Sequence, residues 1–250
     1  MKRLNKKGFT LIELLAVIII LGILMIIAIP SVTSYIQNSR KSAYSDTAVQ
    51  YADAVIKEVN GGKNFRLYST TTLYMIPVGH EKDKSCVTLE SGGQSPFSDQ
   101  WNYAYIGVTY DGKGYNYYFI GEDMAGQGIS FIDKKTLTDD GTDYIYSSYA
   151  QSLGKTEAGK ENITSAFATK MHQLYESKVN VSKCKSGSTG CTSANAISTE
   201  EETVLVNYIA GSSGKEPTKT INHIVYIAGV QGSDPAKKRC TLTEQVTANS

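Results

Sequence analysis

The sequence predicts an α+β fold. A long N-terminal α-helix, apolar in its first half, packs on an antiparallel β-sheet head. Enough chain remains for a second small α+β lobe. Three observations lead there. From Phe9 to Ile29, 18 of 21 residues are apolar. A helix-like pattern resumes after Pro30 and meets a stop signal at Asn60-Gly61-Gly62. Beyond residue 65, aromatic and β-branched runs alternate with turn sequences, the mark of strands.

Composition bounds the reading. A chain of 250 residues buries a sizeable core without metal or disulfide staples. With 41% hydrophobic and 20% charged residues, it is not a disordered chain. A net charge of +1 gives no basic field that would point to nucleic acid. The averages conceal three parts. Lys2, Arg3, Lys6 and Lys7 make a basic start with no acidic residue among the first eight. An apolar segment follows. The remainder is polar; beyond the first eight residues, 21 basic side chains face 24 acidic ones, a mildly acidic balance.

The apolar run, as a helix, is about 31 Å long, the thickness of a bilayer's hydrocarbon. Its basic flank predicts that the N-terminal end stays cytoplasmic and the rest is exported. A secretory signal peptide, a signal anchor and a buried core helix compete for this segment. A signal peptide has a shorter apolar core and a small-x-small cleavage site, and Ala28-Ile29-Pro30-Ser31 is a poor one. A core helix rarely carries such a basic flank. Glu13 fits none of the three. A carboxylate near one end of a membrane helix is costly, and either snorkels to the headgroups or meets a cation. A free amine created by cleavage would be one.

Lys6-Lys7-Gly8-Phe9-Thr10-Leu11-Ile12-Glu13-Leu14-Leu15 resembles the N-terminal signature of type IV prepilins and pilin-like proteins. The resemblance covers about the first 32 residues, with matches at Gly8, Phe9, Thr10 and Glu13, and the apolar run and Pro30 in place. It implies a leader peptide at 1–8, cut by a prepilin peptidase between Gly8 and Phe9, and N-methylation of Phe9. It implies a membrane and filament-core helix at 9–30, continued by an amphipathic stretch at 31–60. It also implies that Glu13 neutralises the Phe9 amine of a neighbouring subunit. An unpaired buried charge is costly, so the pair would set axial register.

The remaining elements follow in order. Pro30 removes one helix hydrogen bond and kinks or ends a helix. From Ser31 to Val59, Tyr35, Ala43, Ala52, Ile56 and Val59 share an approximate face. Arg40, Lys41, Asp46 and Lys57 suit a wetter one. Strands are expected at Leu73–Val78 and Cys86–Leu89. Trp101–Tyr110, the turn Asp111-Gly112-Lys113-Gly114 and Tyr115–Ile120 read as a hairpin. Ile129–Ile132 adds a strand, completing a first lobe at 61–150. In 151–250, Thr164–Lys178 has helical spacing, with Phe167, Met171, Leu174 and Tyr175 on one stripe. Val204–Ala210, Ile221–Ala228 and Thr241–Val246 read as strands of a second lobe.

Four cysteines on the exported side favour disulfides. Of three possible pairings, the expected one joins Cys184 to Cys191 across a short loop and Cys86 to Cys240 at the chain end. Zinc held by cysteines with His80, His172 or His223 is the competing reading, but no CxxC or HxxxH spacing supports it. Asp139, Asp140 and Asp143 gather in a turn region without the spacing of an EF-hand loop. No HExxH, GxSxG or Walker phosphate loop is present, so no enzyme and no cofactor is expected. The 17 tyrosines suit half-buried strands, or a surface that binds glycans or proteins.

The resemblance implies a structural pilus subunit. It would sit in the cytoplasmic membrane as a precursor and then polymerise with copies of itself into a surface filament for adhesion or motility. Prepilin peptidase, the pilus assembly machinery and the membrane are its implied partners. The alternatives are a minor tip pilin or adhesin, a pseudopilin of a type II secretion or DNA-uptake system, and a signal-anchored surface enzyme or binding protein that never polymerises.

Overall fold

A computed structural model describes residues 9–61, 65, 67–79, 84–147, 163–207, 220–229 and 240, with backbone alone at 140, 144 and 147. The chain divides at residue 40 into two units. Helix α1 (Leu11–Asn60) begins in the first and ends in the second.

Residues 9–40 of the first unit are exposed on every side. Leu and Ile dominate the helix from Leu11 to Ile29, and its backbone hydrogen bonds are internal to it, as a span through hydrocarbon requires. It is the helix among the described residues long and apolar enough to cross a membrane. Pro30 lies inside α1 and does not end it. Pro30 has no N–H to offer the Ile26 carbonyl. One turn on, the Thr33 hydroxyl hydrogen-bonds to the carbonyls of Ile29 and Pro30, each at 3.0 Å. Such back-bonding tends to bend helices.

The second unit is built on a seven-stranded sheet. Its strands are β1 (Thr72–Pro77), β2 (Trp101–Tyr110), β3 (Tyr115–Asp123), β4 (Gln127–Asp133), β5 (Ile145–Ser147), β6 (Val181–Cys184) and β7 (His223–Tyr226). Their order is β5-β4-β3-β2-β1-β7-β6. All pairs are antiparallel except β1 with β7. The β2–β3 hairpin turns where expected. Asp111 Oδ1 accepts from the backbone N–H groups of Lys113 (2.9 Å) and Gly114 (2.7 Å). Gly112 takes φ +87°, which an L side chain resists.

Both faces of the sheet are covered. On one, the 41–60 stretch of α1 buries Tyr44, Ala48, Tyr51, Ala52, Val55 and Val59 against Ile76, Ala104, Ile106, Val108 and Phe119. On the other, α3 (Ser165–Tyr175) buries Phe167, Ala168, Met171 and Tyr175 against Leu73, Met75, Tyr103, Tyr105 and Tyr226. Double coverage explains why β1 and most of β2 are buried at successive residues, without the alternation of a half-wet sheet.

Several elements differ from the sequence reading. The buried stripe of α1 is rotated. Ala52 and Val59 lie on it and Ile56 is half-buried, but Tyr35 and Ala43 are exposed. Tyr44 and Tyr51 take the inner positions because their hydroxyls find acceptors, the Gly121 carbonyl (3.1 Å) and the Gly93 carbonyl (2.8 Å). The 204–206 segment is helical, not extended. Ser198 and Glu201 form a capping box that starts α4 (Thr199–Glu201), and a π-turn continues through Glu202–Val206. Cys86–Leu89 supplies a single bridge, Val87 to Val78, in place of a strand. The helix α2 (Lys134–Asp140) was not foreseen; it begins where Asp133 caps the Thr136 N–H at 2.8 Å. Strands β6 and β7 of the C-terminal stretch join the same sheet through β1. The expected strand at 241–246 lies outside the described residues.

Candidate processing and assembly segment

Phe9, 86% exposed, leads into the first turn of α1. Thr10 and Glu13 are reciprocal partners there. Glu13 Oε2 accepts from the Thr10 N–H and the Thr10 hydroxyl, both at 2.8 Å. The Glu13 N–H points back to Thr10 Oγ1 at 3.4 Å. This is the arrangement of a capping box, in which side chains satisfy N–H groups that a helix end leaves without partners. The Glu13 carboxylate, at the edge of an apolar helix, is thus held by its own chain. It sits one turn from Phe9, with a negative charge at the positive end of the helix dipole. Gly8, on the other side of the expected cleavage point, lies outside the described residues, as does the basic start.

From Leu11 to Ile29 every large apolar side chain is about half exposed or more. In water that surface is unfavourable at roughly 25 cal/mol per Å² of apolar area. Hydrocarbon, or other helices of the same kind, is the environment it suits.

Elsewhere, the structure brings two cysteine pairs together as disulfides. Cys86 bonds Cys240, 154 residues apart, and Cys184 bonds Cys191, seven apart. Bonded sulfurs are not thiolate ligands, and His80 lies outside the described residues. His172 Nδ1 sits 2.7 Å from the Asn102 carbonyl oxygen. His223 begins β7, a strand away from it. Asp139 lies in the last turn of α2 and Asp143 in the 3-10 turn Gly141–Tyr144 that follows; for Asp140 only the backbone is described. Among the described residues, no three His, Cys, Asp or Glu side chains gather as metal ligands would.

Two buried polar groups escaped sequence reading. Glu122 is fully buried. It accepts from Asn102 Nδ2 at 2.7 Å and from the Tyr146 hydroxyl at 3.4 Å. Burial pushes its pKa up to about 7, against those hydrogen bonds. Its neighbour Asp123 accepts from Ser95 and from the N–H groups of Ala125 and Gln127. Glu-Asp before Met-Ala-Gly reads as a solvated turn, which hid both. Elsewhere in the sheet, Lys183 pairs with Glu201, which also accepts from the Tyr226 hydroxyl at 2.6 Å. The Ser198-x-x-Glu201 spacing was a readable sign of the capping role, but not of the ion pair.

Comparison with known proteins agrees with the N-terminal geometry. Residues 3–29 match the family model described as the prokaryotic N-terminal methylation motif. The chain therefore carries a prepilin-type N-terminus. Over 38 residues it is 50% identical to the ComG operon protein 3 homolog of Bacillus licheniformis. That similarity covers 15% of this chain and 39% of the relative. No solved structure matches the chain.

Proposed function

We propose that this protein is a structural subunit of a type IV pilus. The observation that carries the reading is the junction of the methylation motif with an apolar helix that its own chain leaves exposed. The leader, residues 1–8, is removed after Gly8 by a prepilin peptidase, and the new Phe9 amine is methylated. Methylation on nitrogen keeps the positive charge. The processed helix waits in the membrane. When the assembly machinery extracts it, helices of successive subunits bundle, because their apolar surface then meets water. Glu13 exchanges its contact with Thr10 for the Phe9 amine of a neighbour. A subunit docked out of register leaves a buried charge unpaired, which disfavours that register. The 41–250 unit becomes the filament surface, where adhesion or motility is served.

A second reading has one observation in its favour. The 38-residue similarity to a ComG operon protein suits a pseudopilin of a DNA-uptake or secretion system, which forms a short structure. Immunogold labelling of cells with an antibody to the 41–250 unit separates the two. Label along long surface filaments that vanish on deletion of the gene supports the pilus. Intact filaments without label in the wild type contradict it and favour the pseudopilin.

A further inference from the structure

The start of β3 and the helix α2 enclose an open groove of about 590 Å³. The Tyr118–Asp133 pairing of β3 with β4 sets α2 beside the hairpin. Tyr115, Asn116, Tyr117, Lys135, Thr138 and Asp139 are among the residues lining the groove. The rings of Tyr110, Tyr115 and Tyr117 follow one another at centroid distances of 5.1 and 6.5 Å, and all three are only partly buried.

The charges of the lining balance. Lys134 is paired with Asp53 at 2.8 Å. Asp133 is occupied by the Thr136 N–H and hydroxyl at 2.8 and 2.9 Å. Lys135 and Asp139, opposite in sign, are both exposed. A groove with no net field does not attract a polyanion, so nucleic acid and acidic sugars are disfavoured. It also lacks the aliphatic pockets that anchor a peptide. What it offers is ring surface for C–H groups, surrounded by hydroxyl, amide, carboxylate and ammonium groups that donate and accept hydrogen bonds. Its volume falls within the range of about 300–1,000 Å³ common to small-ligand sites.

We infer that this groove is a binding site for a neutral glycan, one sugar ring lying on Tyr115 and Tyr117 and its hydroxyls meeting Asn116, Lys135, Thr138 and Asp139. The site belongs to the 41–250 unit and does not depend on filament formation.

The test uses the full chain in a detergent without a sugar headgroup. Titration calorimetry and saturation-transfer NMR are run with chitotriose, lactose, sialyllactose and a single-stranded DNA oligonucleotide. A neutral probe should bind. Tyr115→Ala should weaken it about tenfold, the worth of one ring contact, and Tyr115→Phe should change it far less. Thr138→Trp, at an exposed helix position, should block the groove with the tyrosines intact. Binding of neither neutral probe overturns the inference. So does preference for sialyllactose or DNA, or neutral binding that survives both Tyr115→Ala and Thr138→Trp.

Discussion

Glu122 and Glu13 are two carboxylates with opposite surroundings. Glu122 is buried, with Asn102 and Tyr146 donating to it and the Asp123 carboxylate next to it in the chain. Its pKa rises from 4.5 to about 7, so the folded state holds its proton more tightly than the unfolded chain. Its contribution is therefore fully present below pH 4.5 and is lost as pH rises through about 7. Glu122→Gln keeps the shape and removes the titration. Thermal melts from pH 5 to 8 should fall with pH for the natural protein and flatten for the variant; parallel curves would refute this. Glu13 behaves differently because it is exposed and locally bonded. Glu13→Ala removes one half of the capping box and loosens the first turn of α1. In the proposed filament it also removes the partner of the neighbouring amine. Filament yield should drop sharply while cleavage after Gly8 continues. Glu13 was legible because a charge interrupts an apolar run. Glu122 was not, because only tertiary contact distinguishes a buried strand end from a wet turn.

At the scale of elements, local chemistry was legible and non-local pairing was not. The β2–β3 hairpin is written in Asp111-Gly112, and α3 in the stripe from Phe167 to Tyr175. The 204–206 segment misled because Val204, Leu205 and Val206 favour strands. The Ser198–Glu201 capping box overrides that preference and commits the backbone to helix before the valines arrive. The same Glu201 ties α4 to the sheet through Lys183 and Tyr226. Lys183→Met leaves a carboxylate buried without its cation and should cost about 3–5 kcal/mol in chemical denaturation. Lys183→Met with Glu201→Gln should recover part of that, since no charge is then buried alone. The disulfides divide by loop length. Cys86–Cys240 closes 154 residues and Cys184–Cys191 only seven. Replacing the first pair by alanine should cost about 2–5 kcal/mol and the second pair less, because the longer loop restrains the unfolded chain more. Equal shifts in melting temperature would contradict that order.

The molecule joins a segment that its own chain leaves bare to a unit that is covered on both faces of its sheet. The methylation motif and the apolar helix of the N-terminal segment were readable, since motif spacing and apolar length are local features of sequence. The 41–250 unit was readable as α+β, but its topology was not. The parallel pairing of β7 with β1 joins residues about 150 apart, and no local pattern records it. That pairing also draws β6 into the sheet of β1–β5. The central claim rests on the first segment. Mass spectrometry of the mature protein's N-terminal peptide, from the organism that makes it, tests it most directly. The account predicts a peptide that begins at Phe9 and carries one methyl group on its amine. A mature protein that still begins with residues 1–8, or that is cut beyond the apolar helix, would contradict it.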